Sequence, residues 1–129
     1  PHLTIFGNDY NTPDGTPIRD YLHIMDLAAG HIAALQWLER APIGCHTFNL
    51  GTGAGTSIHE IVSTMKAVTG QEIPCQIGKR RPGDLGVVYA NVDKATKVLQ
   101  WRADLNIESM CRDAWRWHEK ITNDLYKNI

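Results

Sequence analysis

A small, mixed α/β domain is what this sequence predicts, on three observations. Short apolar runs at residues 2–6 and 73–77 have the length of strands, and each empties into a loop. Longer stretches at 27–38, 58–68 and 107–121 repeat apolar residues at helical spacing. Capping and stop residues punctuate the boundaries between them.

Taken in order, residues 2–6 form the first expected strand. Residues 7–16 then carry Asn, Asp, Pro and Gly, the chemistry of a loop, with Asp14-Gly15 as a strong turn signal. A second strand is expected over 19–24, with Tyr21 and His23 on one face and Leu22 and Ile24 on the other. Asp26 is the expected N-cap of the next helix, because a carboxylate there accepts orphan amide hydrogens and favours the positive dipole end. Leu27, His31, Ala34, Leu35 and Leu38 make its apolar stripe, and Pro42 and Gly44 stop it. Small residues at Gly30, Ala33 and Ala34 permit close approach of another element.

Residues 47–50 read as a short strand running into GTGAGT. Ser57 and Glu60 have capping-box spacing for a helix whose stripe is Ile58, Ile61, Val62, Met65 and Val68, ended by Gly70. Residues 73–77 lead into the basic turn RRPGD. Asn91 is placed to cap a short helix through Leu99. The last helix starts near Asn106, with Leu105 and Met110 spaced as a hydrophobic staple. Ile107, Met110, Cys111, Ala114, Trp117 and Ile121 are its stripe, and fraying is expected over 122–129.

A chain of 129 residues is one domain at most, and a net charge of −1 gives no general attraction to nucleic acid or to an anionic membrane. Cys45, Cys75 and Cys111 are odd in number and far apart, which fits reduced, buried or partly buried thiols in a cytoplasmic protein and neither a disulfide framework nor a metal site. No long apolar run or signal peptide is present. Trp101, Trp115 and Trp117 sit among mixed charges, so packing explains them better than a nucleic-acid groove.

GTGAGT at 51–56 imitates a dinucleotide fingerprint. Its third glycine is replaced by Thr56, and no acidic residue closes a βαβ unit after it, so a capped strand-to-helix turn is the better reading. Arg19 and Arg81 are the candidates for gripping a diphosphate, whose oxygens match a guanidinium fork. Either alone could instead be a surface arginine paired with Asp20 or Asp84; Arg80 is the spare and is expected to face solvent. His23 and His31 lack a nucleophile or a paired base, and read as satisfied interior or interdomain histidines.

The blocks FGNDY (6–10), DGTPIRDYLHIMDLAAGHIAAL (14–35), FNLGTG (48–53) and RRPGD (80–84), in that order, resemble the carboxy-terminal part of the UDP-glucose (UDP-galactose) 4-epimerases. These belong to the extended short-chain dehydrogenases/reductases, and the resemblance runs from Leu3 to about Trp117. It implies that residues 1–129 are the UDP-sugar-binding portion of a two-domain enzyme. The NAD-binding Rossmann domain and the Tyr-x-x-x-Lys pair would lie in an absent amino-terminal half, and the strand-helix unit at 47–69 would join that domain. Starting at Pro1 fits such a piece.

By the same resemblance, the backbone of Thr4, Ile5 and Phe6 meets a uracil edge while Phe6 packs on its ring. Arg19 and Arg81 clamp the phosphates, and Asp84 binds the ribose hydroxyls; from the residues alone, Asp84 could equally be a structural ion-pair partner. Val88 stands where a bulky or a small residue borders the sugar's 2-substituent, and valine leaves room for an N-acetyl group. The implied activity interconverts UDP-galactose and UDP-glucose, with UDP-N-acetylhexosamines as further substrates. A tyrosine base and NAD would make and reduce a 4-keto sugar, and dimerisation would use the absent half. The isolated piece is expected to be inactive and to bind UDP weakly at best. Two rival readings are another UDP-sugar reductase, such as a decarboxylase or pentose epimerase, and a non-catalytic nucleotide-sugar-binding module.

Overall fold

The computed structural model of the chain describes residues 1–126. The described residues form two small sheets and three α-helices, with the main apolar cluster between α1 (Ile24–Leu38) and the segment 95–103. Strand β1 (Leu3–Phe6) pairs in parallel with β4 (Cys75–Gly78), Leu3 opposite Cys75 and Phe6 opposite Gly78. Between them in sequence come β2 (Ile18–Arg19), α1 (Ile24–Leu38), β3 (Thr56–Ser57) and α2 (Ile58–Thr69). After β4 follow β5 (Val87–Val88), a π-helical turn (Ala95–Leu99) and α3 (Ile107–Tyr126). The second sheet has the order β3-β2-β5, with β2 antiparallel to β3 and parallel to β5.

The mixed α/β expectation is met, and several boundaries move. Strand β2 stops at Arg19 instead of running to residue 24, because α1 begins at Ile24. His23, not Asp26, caps that helix: its ring Nδ1 accepts the Met25 amide at 3.1 Å. Asp26 lies in the first turn, where its Oδ2 accepts the Leu105 amide at 2.9 Å.

Helix α1 also packs on a different face from the one expected. Gly30 is buried, and a Cβ there would come within 2.8 Å of Leu50 Cδ1 and 3.2 Å of Trp101 Cε2. Ala33, Ala34 and Trp37 pack beside it on the cluster of Ala95, Leu99 and Trp101, while Trp37 meets Phe48 edge-on at 5.3 Å. The close approach predicted from the small residues is therefore present. The larger Leu35 and Leu38, assigned to the core by spacing, are exposed together with His31, Ile24, Met25 and Ile32.

No strand forms at 47–50, since nothing among the described residues pairs with it as a ladder. Lys94 Nζ donates to the Thr47 carbonyl (2.7 Å) and Asn49 Nδ2 to the Asn91 carbonyl (3.3 Å) instead. Helix α2 meets its expectation. The Ser57–Glu60 capping box is complete, and Gly70 ends the helix at φ 67°, a left-handed conformation that glycine adopts without a Cβ clash. Asn91 Oδ1 accepts the Asp93 amide ahead of the π-helical turn, and Asn106 Oδ1 accepts the Ser109 amide at the start of α3.

Helix α3 packs against α2 through the buried Cys111, and it runs through residues 122–126 that were expected to fray; 127–129 lie outside the described residues. Trp101 is buried, with its Nε1 donating to the Asp26 carbonyl at 3.1 Å, whereas Trp117 is 61% exposed and packs no core here. Cys45 and Cys75 are free and exposed, where buried or partly buried thiols were expected. No described helix is long and apolar enough to cross a membrane. Among the described residues no cluster of His, Cys, Asp or Glu could hold a metal ion.

Candidate functional site

Four separate sequence segments build one cavity. Strand β1 supplies its wall: Ile5 points into the protein and Phe6 remains 40% exposed. Strand β4, in parallel register with β1, delivers the chain into the basic turn. Gly83, at φ +84°, lets that turn reverse, and the Asp84 amide closes it on the Arg81 carbonyl at 3.2 Å. The third contributor is Arg19 at the end of β2, whose Nη1 donates to its own strand's carbonyl at Ile18 (2.8 Å).

Asp84 lies between the two arginines. Its Oδ2 accepts from Arg81 Nε at 2.8 Å, and its Oδ1 stands 4.0 Å from Arg19 Nη2. The Arg81 guanidinium also lies over the Phe6 ring, 5.0 Å from its centre. Around them is a cavity of about 310 Å³ lined by Thr4, Ile5, Phe6, Pro17, Arg19, Tyr21 and Arg81, with the start of α2 (Ile58, Ile61, Val62) beneath. Thr4, Ile5, Phe6, Arg19 and Arg81 were all candidates from sequence. Tyr21 was not; burial raises its phenol pKa, partly offset by the charge of Arg19.

Val88 sits apart, in an open recess of about 580 Å³ shared with Asn49, Tyr89 and Asn91. Arg19 lines both spaces, and Val88 is its register partner across β2 and β5. Arg80 is exposed, as expected, and is also tethered: its Nε donates to Asp9 Oδ1 at 2.7 Å, and its guanidinium stacks 4.0 Å above the Tyr10 ring. Hydrogen bonding by Arg80 keeps the Asp9 carboxyl below its ordinary range.

The Arg19–Asp20 pairing considered from sequence is not among the ion pairs of the described residues. Asp20 accepts hydrogen bonds from Thr52 N (2.9 Å), Thr52 Oγ1 (2.6 Å), Gly53 N (3.1 Å) and Ala90 N (3.1 Å). The amides of the GTG loop are thus occupied by the chain's own carboxylate.

A second hub ties the 12–16 loop to α2. Asp14 Oδ1 accepts Thr16 N (2.8 Å) and Thr16 Oγ1 (2.7 Å), while its Oδ2 accepts the Ser57 hydroxyl. His23 is buried, with Nε2 3.3 Å from Asp113 Oδ2, a carboxylate partner 90 positions away that the sequence did not reveal, whereas His31 is exposed and not interior, its Nδ1 bonded to the Leu27 carbonyl. A larger, mostly apolar cleft of about 440 Å³ between α2, α3 and residues 21–24 has Asp113 but no lysine or arginine in its lining.

The sequence model of the GDP-mannose 4,6 dehydratase family matches residues 1–114. This chain belongs to that family. Within it, the likeness is to UDP-glucose 4-epimerases. The rice (Oryza sativa subsp. japonica) UDP-glucose 4-epimerase 4 is 54% identical over 120 residues, 93% of this chain but 32% of the relative. The chain therefore spans about a third of the length of the curated relatives it matches.

Among solved structures, the Stenotrophomonas maltophila UDP-glucose 4-epimerase with bound NAD and formylated UDP-arabinopyranose superposes with a TM-score of 0.91 at 40% identity, covering 96% of this chain and 37% of that one. The Bifidobacterium longum enzyme in complex with NAD+ and UDP gives 0.87 at 41% identity, covering 95% and 36%. The small mixed α/β architecture is that of the matched part of these extended short-chain reductases.

Proposed function

We propose that this chain is the UDP-gripping portion of a UDP-glucose 4-epimerase, which interconverts UDP-galactose and UDP-glucose with NAD held outside residues 1–129. One observation carries the reading. Two guanidinium groups from separate elements converge on a cavity that also presents an apolar strand edge and a half-exposed phenyl ring. UDP has the complementary parts, a planar base beside two linked phosphates.

The roles are those the family resemblance implies, and the placement of the side chains is compatible with them. Thr4 and Ile5 offer backbone groups to the uracil edge, with Phe6 against its face. Arg19 and Arg81 take the phosphates with donors not used in their present bonds, since a guanidinium has five. Asp84 already accepts from Arg81 and has lone pairs left for the ribose hydroxyls. Val88 borders the hexose, and its small side chain admits a 2-N-acetyl group. Firm grip on the nucleotide with little on the hexose lets a sugar intermediate turn over. The proton- and hydride-transfer groups lie in the rest of the intact protein, so residues 1–129 alone are inactive.

Titration of the intact protein by calorimetry with UDP and with uridine tests this reading. A charge-assisted bond contributes about 1.5–3 kcal/mol, or roughly 10- to 100-fold in Kd. Arg19, 27% exposed, is expected to reach the upper part of that range as Arg19→Ala; Arg81, 60% exposed and better screened, the lower part. Uridine affinity is expected to stay within about twofold, because it lacks the phosphates. Equal losses for uridine, or none for UDP, refute the assignment.

A further inference from the structure

The geometry points to Asp20 as a positioning residue: its carboxylate, seated in a nest of amides from residues 52, 53 and 90, sets Arg19 and Val88 in register at the mouth of the nucleotide-sugar site. This inference rests on the reading of that site given above. Strand β2 is only two residues long, and its backbone pairing with β5 ends at Arg19 opposite Val88. Two residues of ladder are a weak clamp. Beyond them the Asp20 side chain takes over, accepting the amide of Ala90, two residues past Val88, at 3.1 Å.

The loop is shaped around that carboxylate. A Cβ at Gly51 would lie 2.4 Å from Asp20 Oδ2 and 2.7 Å from Ala90 Cβ, so a side chain there would close the nest. Gly53 takes φ +72°, and the amides of Thr52 and Gly53 both point at the carboxylate, the arrangement of an anion-binding nest. Burial pushes the Asp20 carboxyl up, but the bonds from the Thr52 hydroxyl and the three amides outweigh it, and the group stays ionised well into acid. Arg19 is bonded to its own strand at Ile18, so its guanidinium travels with β2. Whatever loosens β2 from β5 displaces that cation from the phosphates.

A double-mutant cycle on the intact protein, read as UDP affinity by calorimetry, tests the inference. Asp20→Asn replaces one acceptor oxygen with a donor facing other donors. Thr52→Val removes the hydroxyl, with its bonds to Asp20 and to the Ala54 carbonyl and amide, and keeps the Thr52 amide bond to Asp20. Asp20→Asn is expected to weaken UDP about tenfold and Thr52→Val about threefold, and both effects are expected to fall within about twofold once Arg19→Ala is present.

Losses of the same size in the Arg19→Ala background overturn the inference, since a merely structural defect adds. Unchanged UDP affinity in a folded Asp20→Asn protein that still responds to Arg19→Ala also overturns it, while leaving the site reading intact. If Arg19→Ala itself has no effect, the site reading falls and takes this inference with it. Should Asp20→Asn not fold, Thr52→Val decides: unchanged UDP affinity overturns the positioning role.

Discussion

Replacing Ser57 by alanine removes two bonds at once, and the structure indicates how much each matters. Ser57 is 3% exposed; its Oγ accepts the Glu60 amide at 3.1 Å and donates to Asp14 Oδ2. Loss of the cap costs about 1 kcal/mol. The hydroxyl–carboxylate bond would add about 1.5–3 kcal/mol in a dry site, but Asp14 is exposed and water replaces the hydroxyl, so about 0.5–1 kcal/mol is the better figure. The sum is about 1.5–2 kcal/mol, measured as a fall in urea midpoint at constant slope.

Acid separates the two parts. Burial raises the Asp14 carboxyl, but hydrogen bonds from Ser57 and Thr16 hold it below its ordinary value of 3.8. A carboxyl depressed in the folded state stabilises above its unfolded pKa and loses that contribution as pH falls through the folded value. In Ser57→Ala the Asp14 pKa moves back up. The gap between parent and variant is therefore wide at neutral pH and narrows below about 3.8, leaving only the capping share. A gap under about 0.5 kcal/mol at neutral pH, or one that does not change with acid, refutes the account.

Two further outcomes are expected. Val88 is half-exposed, so Val88→Tyr leaves stability within about 0.5 kcal/mol; in the intact protein it lowers kcat/KM for UDP-N-acetylglucosamine about tenfold or more, with UDP-galactose little changed. An unchanged ratio of the two substrates removes Val88 from the sugar site. Trp101→Ala empties the centre of the apolar cluster and removes the indole bond to the Asp26 carbonyl, and it is expected to cost about 3–5 kcal/mol in urea unfolding.

What was legible in the sequence is local, or is carried by a recognisable block. Ser57 and Glu60, Gly70 and Asn106 act as read, because a cap depends only on residues within one turn. Arg19, Arg81 and Thr4–Phe6, singled out from recognisable blocks, line one cavity. The buried face of α1 was not legible: Ile24, Met25, Ile32, Leu35 and Leu38 make one apolar side, and Gly30, Ala33, Ala34 and Trp37 another. Periodicity cannot rank two apolar faces. Close approach favours the one with the smaller residues. Asp20 was unreadable for a different reason. Its partners lie 32 to 70 positions away, and no periodic pattern marks them.

Backbone pairing is scarce where the candidate site needs stiffness. Strands β2, β3 and β5 have two residues each, and three aspartates occupy the places where longer ladders would run. Asp14 joins the 12–16 loop to α2, Asp20 joins β2 to the chain beyond β5, and Asp84 joins the basic turn to Arg19. A carboxylate accepts several donors from several directions, whereas a ladder joins two strands along one line. Irregular segments can therefore be fixed around a cavity without extending a sheet through it. The cost of the arrangement is that each joint depends on a single ionised side chain. Of the three, only Asp84 faces both arginines, so under the proposed function it is the joint that a bound nucleotide would load.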